Sequence, residues 1–480
     1  MSAVFGSPHS IPQAAIALSI AAFTTLLPAQ DSLQLKDGRF VIDKKIAKHE
    51  EGAIIHFTHG DIIVPQKLIQ ACTAFEVKVT ESSYSEEDKA KMAKGLVLFE
   101  DDWISEKKRD SIMAERRKTR EQRIKDAKEH RLWRNRYKLE TKNFAFEYTI
   151  DPQVMKKYAD MLEVYYKTFT KAWGIKKPRG MGRLKVCFYH DQDYYEQVSG
   201  ASPGAIGYFR FIEPIELNFF YDRLDKDLTI DVMFHETNHF LTHLIDPKFH
   251  YPSWINESLA EYYGASEWDP KAKKMIIGNL QEGRLATIQD AIRNDEWQGL
   301  EDLIRLPQNQ FTAIHYAWGW SFVHYLKCEP EEQIRVFTKF MKVDSVEEFE
   351  KGWHAHVKGM KAATGNGFRN AGDIALARGM PIKAQRFYRT ALDMGDTNCM
   401  THFGYGRALS QKGKRAEAHE QFKKALALQG RFWMYLSDTL PSGDKHKDER
   451  ERMRQLALEI EPDNYGLMSR MMTNTIIKGN

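Results

Sequence analysis

Cysteine is scarce in this chain: four residues in 480, Cys72, Cys187, Cys328 and Cys399, each more than 70 positions from the next. With no CxxC pair, the sequence encodes neither a zinc ribbon nor a dithiol redox motif, and it carries no dense disulfide framework. Long apolar runs are missing too. Past residue 30 no stretch approaches the roughly 18–20 consecutive apolar residues of a membrane helix, so no membrane span is expected in the mature chain. Nor does one sign of charge dominate: 70 Lys and Arg against 66 Asp and Glu leave a net charge of +4. Residues 105–138 alone hold 14 Lys and Arg against 6 Asp and Glu. A single segment therefore makes the protein look basic, and no nucleic-acid partner is expected. What is present is ordinary globular material, 42% hydrophobic and 12% aromatic, which excludes global disorder and a fibrous class. At about 150 residues per domain, the length calls for about three domains.

Residues 1–30 read differently from the rest. An uncharged start leads into an apolar stretch from Ala14 to Leu27, then Pro28-Ala29-Gln30. This is the pattern of a secretory signal peptide, without the usual basic residue before the apolar core, and it predicts export to the periplasm, cell envelope or extracellular space. Residues 31–104 read as a small β-rich module whose short runs are punctuated by Asp37-Gly38, Gly52 and Gly60-Asp61, as in hairpins. Residues 105–140, densely charged and free of Gly and Pro, predict an exposed helical linker. Residues 141–364 place strands first, at 144–150, 184–189 and a hairpin over 206–221 broken at Glu213-Pro214, and helices after; this order predicts an α+β domain. Residues 365–480 hold a repeat. Gly379, Ala384, Tyr388, Ala391 and Leu392 recur 34 positions later as Gly413, Ala418, Phe422, Ala425 and Leu426. The period, with small residues where two helices would cross, resembles the tetratricopeptide repeat, and a degenerate third unit follows. Stacked helix pairs of that kind offer a surface to a protein partner.

The chemistry concentrates in 231–264, DVMFHETNHFLTHLIDPKFHYPSWINESLAEYYG. His235-Glu236-Thr237-Asn238-His239 is an HExxH motif. On a helix, residues four apart sit about 40° apart around the axis and about 6 Å along it, so both imidazoles can reach one metal ion. Glu236 lies beside them, placed to take a proton from the attacking water. Catalytic zinc usually has three protein ligands, and two residues compete to be the third here. His243 lies about 12 Å along the axis from His235 on an unbroken helix, too far to share a metal with it. Glu257 follows His239 by 18 positions, in what reads as a second helix after a turn at Pro252, and an antiparallel return would bring its carboxylate back to the histidines.

HExxH followed by Trp254-Ile255-Asn256-Glu257 resembles the gluzincin zinc metallopeptidases, and the phrasing P-S-W-I-N-E-S-L-A-E-Y with helical repeats behind it is similar to peptidase-MA-like domains. The resemblance implies Zn2+ held by His235, His239 and Glu257, with Glu236 as general base for hydrolysis of a peptide or protein substrate by metal-activated water. It further implies that Glu261 orients a zinc histidine. Tyr316-Ala317-Trp318-Gly319 resembles the segment whose tyrosine stabilises the tetrahedral intermediate in aminopeptidase-N-like members, which gives Tyr316 that role; Tyr208, Tyr262 and Tyr263 are weaker candidates. The strand at 215–221 sits where gluzincins keep an edge strand for an extended substrate. The chain departs from the aminopeptidase pattern in lacking a G-x-M-E-N segment and in having Ser258 where glycine is usual after the third ligand. The expected architecture is thus multidomain α+β: a β-rich N-terminal module, a charged helical linker, a gluzincin-like peptidase domain and C-terminal tetratricopeptide-like repeats. The alternative is a catalytically inactive peptidase-like scaffold that binds partners through those repeats.

Overall fold

The computed structural model describes residues 31–471, apart from 37, 43, 76–85, 100–101, 179, 203–204, 223–225, 246–250, 270–271, 327–345, 362, 426–427, 463, 465–466 and 469–470. The signal-peptide segment and Leu426 of the second repeat lie outside the described residues.

The chain starts with short strands, as the glycine punctuation predicts. β1 (Ser32–Leu35), β2 (Phe40–Ile42), β3 (Lys45–His49), β4 (Gly52–Phe57), β5 (Gly60–Pro65) and β6 (Ile69–Cys72) form two antiparallel three-stranded sheets, ordered β2-β1-β6 and β3-β4-β5. In β5, Ile62 and Val64 are buried while Asp61 and Ile63 face out, the period-2 alternation of a half-buried strand. After α1 (Glu86–Ala93) and the hairpin β7 (Leu96–Phe99) and β8 (Asp102–Ser105) comes the charged helix α2 (Glu106–Glu129). Ser105 caps it by accepting from the Lys108 N–H. Without an apolar stripe α2 docks by polar contacts: Arg123 pairs with Asp151 at 3.0 Å and Arg116 donates to Gln153 at 3.4 Å.

The linker is shorter than the charge run suggests. Residues Tyr137–Glu140 leave it as β9, an edge of the central sheet. The reason is aromatic packing that outweighs the surrounding charge: Tyr137 stacks on His130 at 3.9 Å and on Tyr148 at 5.3 Å, and Trp133 stacks on Tyr189 at 4.4 Å. The aromatic side chains of the basic run are thus engaged in the fold.

β10 (Phe144–Tyr148), α3 (Pro152–Ala172), β11 (Leu184–Tyr189), α4 (Gln192–Ser199), β12 (Gly207–Arg210) and β13 (Glu216–Phe220) complete the central α+β layer. The sheet order is β12-β13-β11-β10-β9, with β10, β11 and β13 parallel and both edges antiparallel. One expectation is corrected here. The strand at 216–220 is internal and fully buried, and the edge is β12 instead. β13 is apolar enough to pair with β11, so its hairpin partner is left outside. α3 buries Met155, Tyr158, Leu162, Tyr165 and Phe169, spaced as one helix face.

Beyond the site helices described below, α10 (Val346–Lys358) leads into three helix pairs: α11 (Gly365–Ala377) with α12 (Pro381–Asp393), α13 (Cys399–Gln411) with α14 (Arg415–Lys424), and α15 (Gly430–Thr439) with α16 (Lys447–Ile460). The 34-residue repeat now has a physical cause. Gly379 and Gly413 both adopt left-handed backbone, φ +70° and +74°, at the turn inside each pair. The recurring aromatics Tyr388 and Phe422 are buried where the helices cross. The C-terminal region is therefore a helical array on an α+β body.

That array closes back on the N-terminal module. Glu459 of α16 accepts from the Thr58 N–H at 3.0 Å, the Thr58 hydroxyl at 2.9 Å and His59 Nδ1 at 3.0 Å, and it also pairs with Lys44. Burial alone would raise the Glu459 pKa, but these donors outweigh it and hold the carboxyl down to about 2. An unfolded glutamate titrates near 4.3, so the contact is at full strength above that pH and is lost as the pH falls toward 2. Glu459→Gln should remove this dependence: in urea unfolding, the native chain should lose on the order of 2 kcal/mol more than the variant between about pH 5 and pH 2. Parallel curves would contradict the contact.

Candidate metal centre

Two helices build the site. α5 (Lys226–Ile245) carries the HExxH motif and α6 (Ser253–Gly264) carries Glu257 and Glu261. α5 is buried on several sides, by Met233, Phe234 and Leu241 and by the polar Thr237, Asn238 and Thr242. Each polar group is satisfied locally: Thr237 donates to the Met233 carbonyl at 2.6 Å, Asn238 donates to the Tyr165 hydroxyl at 3.3 Å, and Thr242 donates to Asn238 at 3.0 Å. Tyr165 also stacks on Phe234 at 4.4 Å, so α3 fixes the rotation of α5. α6 begins after Pro252 and returns antiparallel, with the Cβ position of Gly264 3.4 Å from His235. Its Tyr263 hydroxyl accepts from the Trp173 indole at 2.9 Å.

This packing brings three ligand atoms together. His235 Nε2 and His239 Nε2 are 3.2 Å apart, and Glu257 Oε2 lies 3.5 Å from the first and 3.6 Å from the second. Tetrahedral zinc with ligands at about 2.0–2.1 Å holds neighbouring donor atoms about 3.3–3.4 Å apart. The triangle thus fits one such cation, and the donor set of two imidazoles and a carboxylate suits zinc. His243 is exposed and outside the triangle.

A supporting chain stands behind His235. Its Nδ1 lies 3.3 Å from Glu261 Oε1, and both Glu261 oxygens accept from Arg284 of α7 (Glu282–Arg293) at 2.6 Å. Burial by itself would raise the Glu261 pKa, but Arg284 and His235 reverse that and hold it well below the ordinary carboxylate range. Glu261 therefore stays a pure acceptor, which keeps a proton on His235 Nδ1 and leaves Nε2 as the nitrogen that a metal ion in the triangle would take. Burial also disfavours a charged His235, yet Glu257 and Glu261 outweigh it and raise its pKa. His239 Nδ1 is buried with no hydrogen-bond partner among the described residues.

Glu236 is pressed against the edge strand. Burial raises its pKa, with Glu257 adding to the rise, while the two histidines and the Phe209 N–H oppose it. A dication in the triangle would lower it again. Gly207 makes this approach possible: a Cβ there would sit 2.6 Å from Val232 Cγ1 and 3.2 Å from Glu236 Cγ.

Tyr316, on α9 (Ala313–Leu326), which follows the short α8 (Leu300–Arg305), places its ring 6.5 Å from that of His235 and 5.4 Å from the Arg284 guanidinium. Burial, with Glu257 and Glu261, raises its pKa, so the hydroxyl keeps its proton and can donate. The competing tyrosines are placed otherwise. Tyr208 donates to the Ser199 carbonyl at 3.2 Å, and Tyr263 is held by Trp173. Tyr262 packs on Gly278, whose Cβ position is 2.4 Å from its hydroxyl. Ser258 packs across the helix pair against Gly319 of α9, where a Cβ would stand 2.2 Å from Ser258 Oγ.

Sequence reasoning missed Arg284 and Gly207. Arg284 lies 23 positions past Glu261 in an ordinary amphipathic helix, and no motif marks it.

No protein-family model matches the chain, and no curated protein matches it. Among solved structures it is similar to YrrB, described as a TPR protein with an unusual peptide-binding site. The identity is 16% and the TM-score 0.23, with 39% of this chain and 98% of that one covered.

The Arg284 chain predicts a metal phenotype remote from the ligands. Arg284→Ala should weaken zinc binding about 10–100-fold, as loss of an outer partner typically does, and Glu261→Gln should do the same. Competition against a chelator measures it; zinc affinity equal to native in both variants would contradict the assignment.

Proposed function

We propose that this chain is an exported zinc-dependent peptidase of the gluzincin type. The carrying observation is the convergence of His235, His239 and Glu257 within 3.6 Å of one another, with Glu236 beside them. Zinc held there would supply a Lewis acid that polarises the peptide carbonyl and acidifies the attacking water. Glu236 takes the proton of that water on its carboxylate and delivers it to the leaving nitrogen. Tyr316 donates its hydroxyl hydrogen bond to the oxygen on which negative charge develops. β12, lying against Glu236, offers an open strand edge to an extended substrate.

A second reading is a binding protein acting through its helical repeats on an inactive scaffold. The apolar residues that α12 and its flanks leave in solvent favour it: Ile382 is 67% exposed, Met394 48% and Met380 41%.

Turnover of mixed peptides by the zinc-loaded full chain separates the two readings. Glu236→Gln should lower kcat about 10²–10⁴-fold while zinc content stays at the native level. Tyr316→Phe should lower kcat about 10²-fold with little change in KM. Undiminished turnover in Glu236→Gln would refute the base, and zinc bound without turnover by the native chain would favour the binding protein.

A further inference from the structure

We infer that Arg378, contributed by the first helical repeat, selects substrates at the metal site by pairing with a peptide carboxylate. The inference rests on the peptidase reading and adds the class of substrate.

Arg378 closes α11. Its N–H bonds to the Ile374 carbonyl at 3.1 Å, and the next residue, Gly379, turns the chain with φ +70°. The root of the side chain is therefore fixed. Its guanidinium lies over the Tyr316 ring at 6.0 Å from the centroid, and that ring is 6.5 Å from His235. A repeat side chain thus stands beside the tyrosine that would donate to the developing oxyanion.

The repeat is held in that place. Arg386 pairs with Asp290 of α7 at 2.6 Å, Lys383 reaches the same carboxylate at 3.5 Å, and the Thr364 N–H donates to Glu282 at 2.9 Å. The backbones are in close contact as well, since a Cβ at Gly367 would meet Glu282 Cβ at 2.7 Å. Arg378 is thereby held beside Tyr316.

Charge identifies the ligand. Glu236, Glu257 and Glu261 bring three negative charges to the site, and Arg284 with a bound dication brings three positive ones. Arg378 is surplus. Arg284 lies over the same tyrosine ring but has both its Nε and Nη2 on Glu261. Arg378 is exposed, and among the described residues it makes no ion pair with a carboxylate. An always-charged planar fork beside a neutralised metal centre favours a carboxylate, which it can bind through two parallel hydrogen bonds. That carboxylate comes from an Asp or Glu side chain or from a free C-terminus.

The test uses the zinc-loaded full chain carrying Glu236→Gln, so that peptides bind without being consumed. Three fluorescent peptides share one neutral sequence: one amidated, one with a free C-terminus, and one amidated with a central Asp. At least one carboxylate peptide should bind about 10-fold more tightly than the neutral amide, as removal of a charge-assisted hydrogen bond costs. Arg378→Ala should erase that advantage, and Arg378→Glu should turn it into a penalty. A purely structural contact with Tyr316 would not reverse with charge. The peptide that gains identifies the source of the carboxylate. Equal binding of the three peptides, an advantage that survives Arg378→Ala, or no binding would overturn the inference. Hydrolysis by the native chain without carboxylate preference also overturns it while leaving the peptidase reading intact. Charge-dependent binding without hydrolysis removes the peptidase reading and overturns substrate selection with it, leaving Arg378 only a carboxylate-binding residue.

Discussion

Like-charged and lone-pair-bearing atoms do not gather in a protein interior without compensation. His235, His239 and Glu257 bring three electron-rich atoms within 3.6 Å of one another, and Glu236 and Glu261 add two more carboxylates nearby. Taking these groups out of water is costly unless each is paired. The site meets that constraint in two ways. Arg284 neutralises Glu261 through two short hydrogen bonds, and the triangle itself has the dimensions of a dication's ligand shell. The rest of the central region holds α5 and α6 at the rotation and spacing this arrangement requires.

Packing follows from that demand. Tyr165 fixes α5 through Phe234 and Asn238, Trp173 fixes α6 through Tyr263, and Ser258 fits into the space left by Gly319. Gly207 lets the edge strand lie flat over Glu236. The outer parts of the chain are tied to this centre. The first helical repeat docks on α7, the helix of Arg284, through Asp290 and Glu282. The last repeat helix, through Glu459, holds the N-terminal module. The first repeat is thus coupled to α7, and the last repeat to the N-terminal module, by ion pairs and hydrogen bonds.

Much of this was legible in residue order because it is local. The strand at 184–189 and the helix pairs follow from short-range periodicity, and the 34-residue spacing of Gly379 and Gly413 marks turns only glycine adopts without strain. HExxH fixes its own geometry, since a helix places residues four apart on one face. Glu257 was legible because a turn at Pro252 and a matched return length are features of sequence. What escaped depends on contacts between distant segments. Arg284 and Gly207 gain their roles only from what lies opposite them. Tyr137 joined the sheet because two ring stacks outweigh a charged neighbourhood. The order of β12 and β13 was also hidden, for either strand of a hairpin can be the outer one until a third strand chooses between them.

Zinc K-edge absorption on the purified full chain titrated to one equivalent tests the central claim most directly. The account predicts one zinc coordinated by two imidazole nitrogens and one carboxylate oxygen at about 2.0–2.1 Å, with no sulfur in its shell, and loss of that spectrum in His235→Ala and in Glu257→Ala. A spectrum with sulfur ligands, or one unchanged by both substitutions, would contradict it.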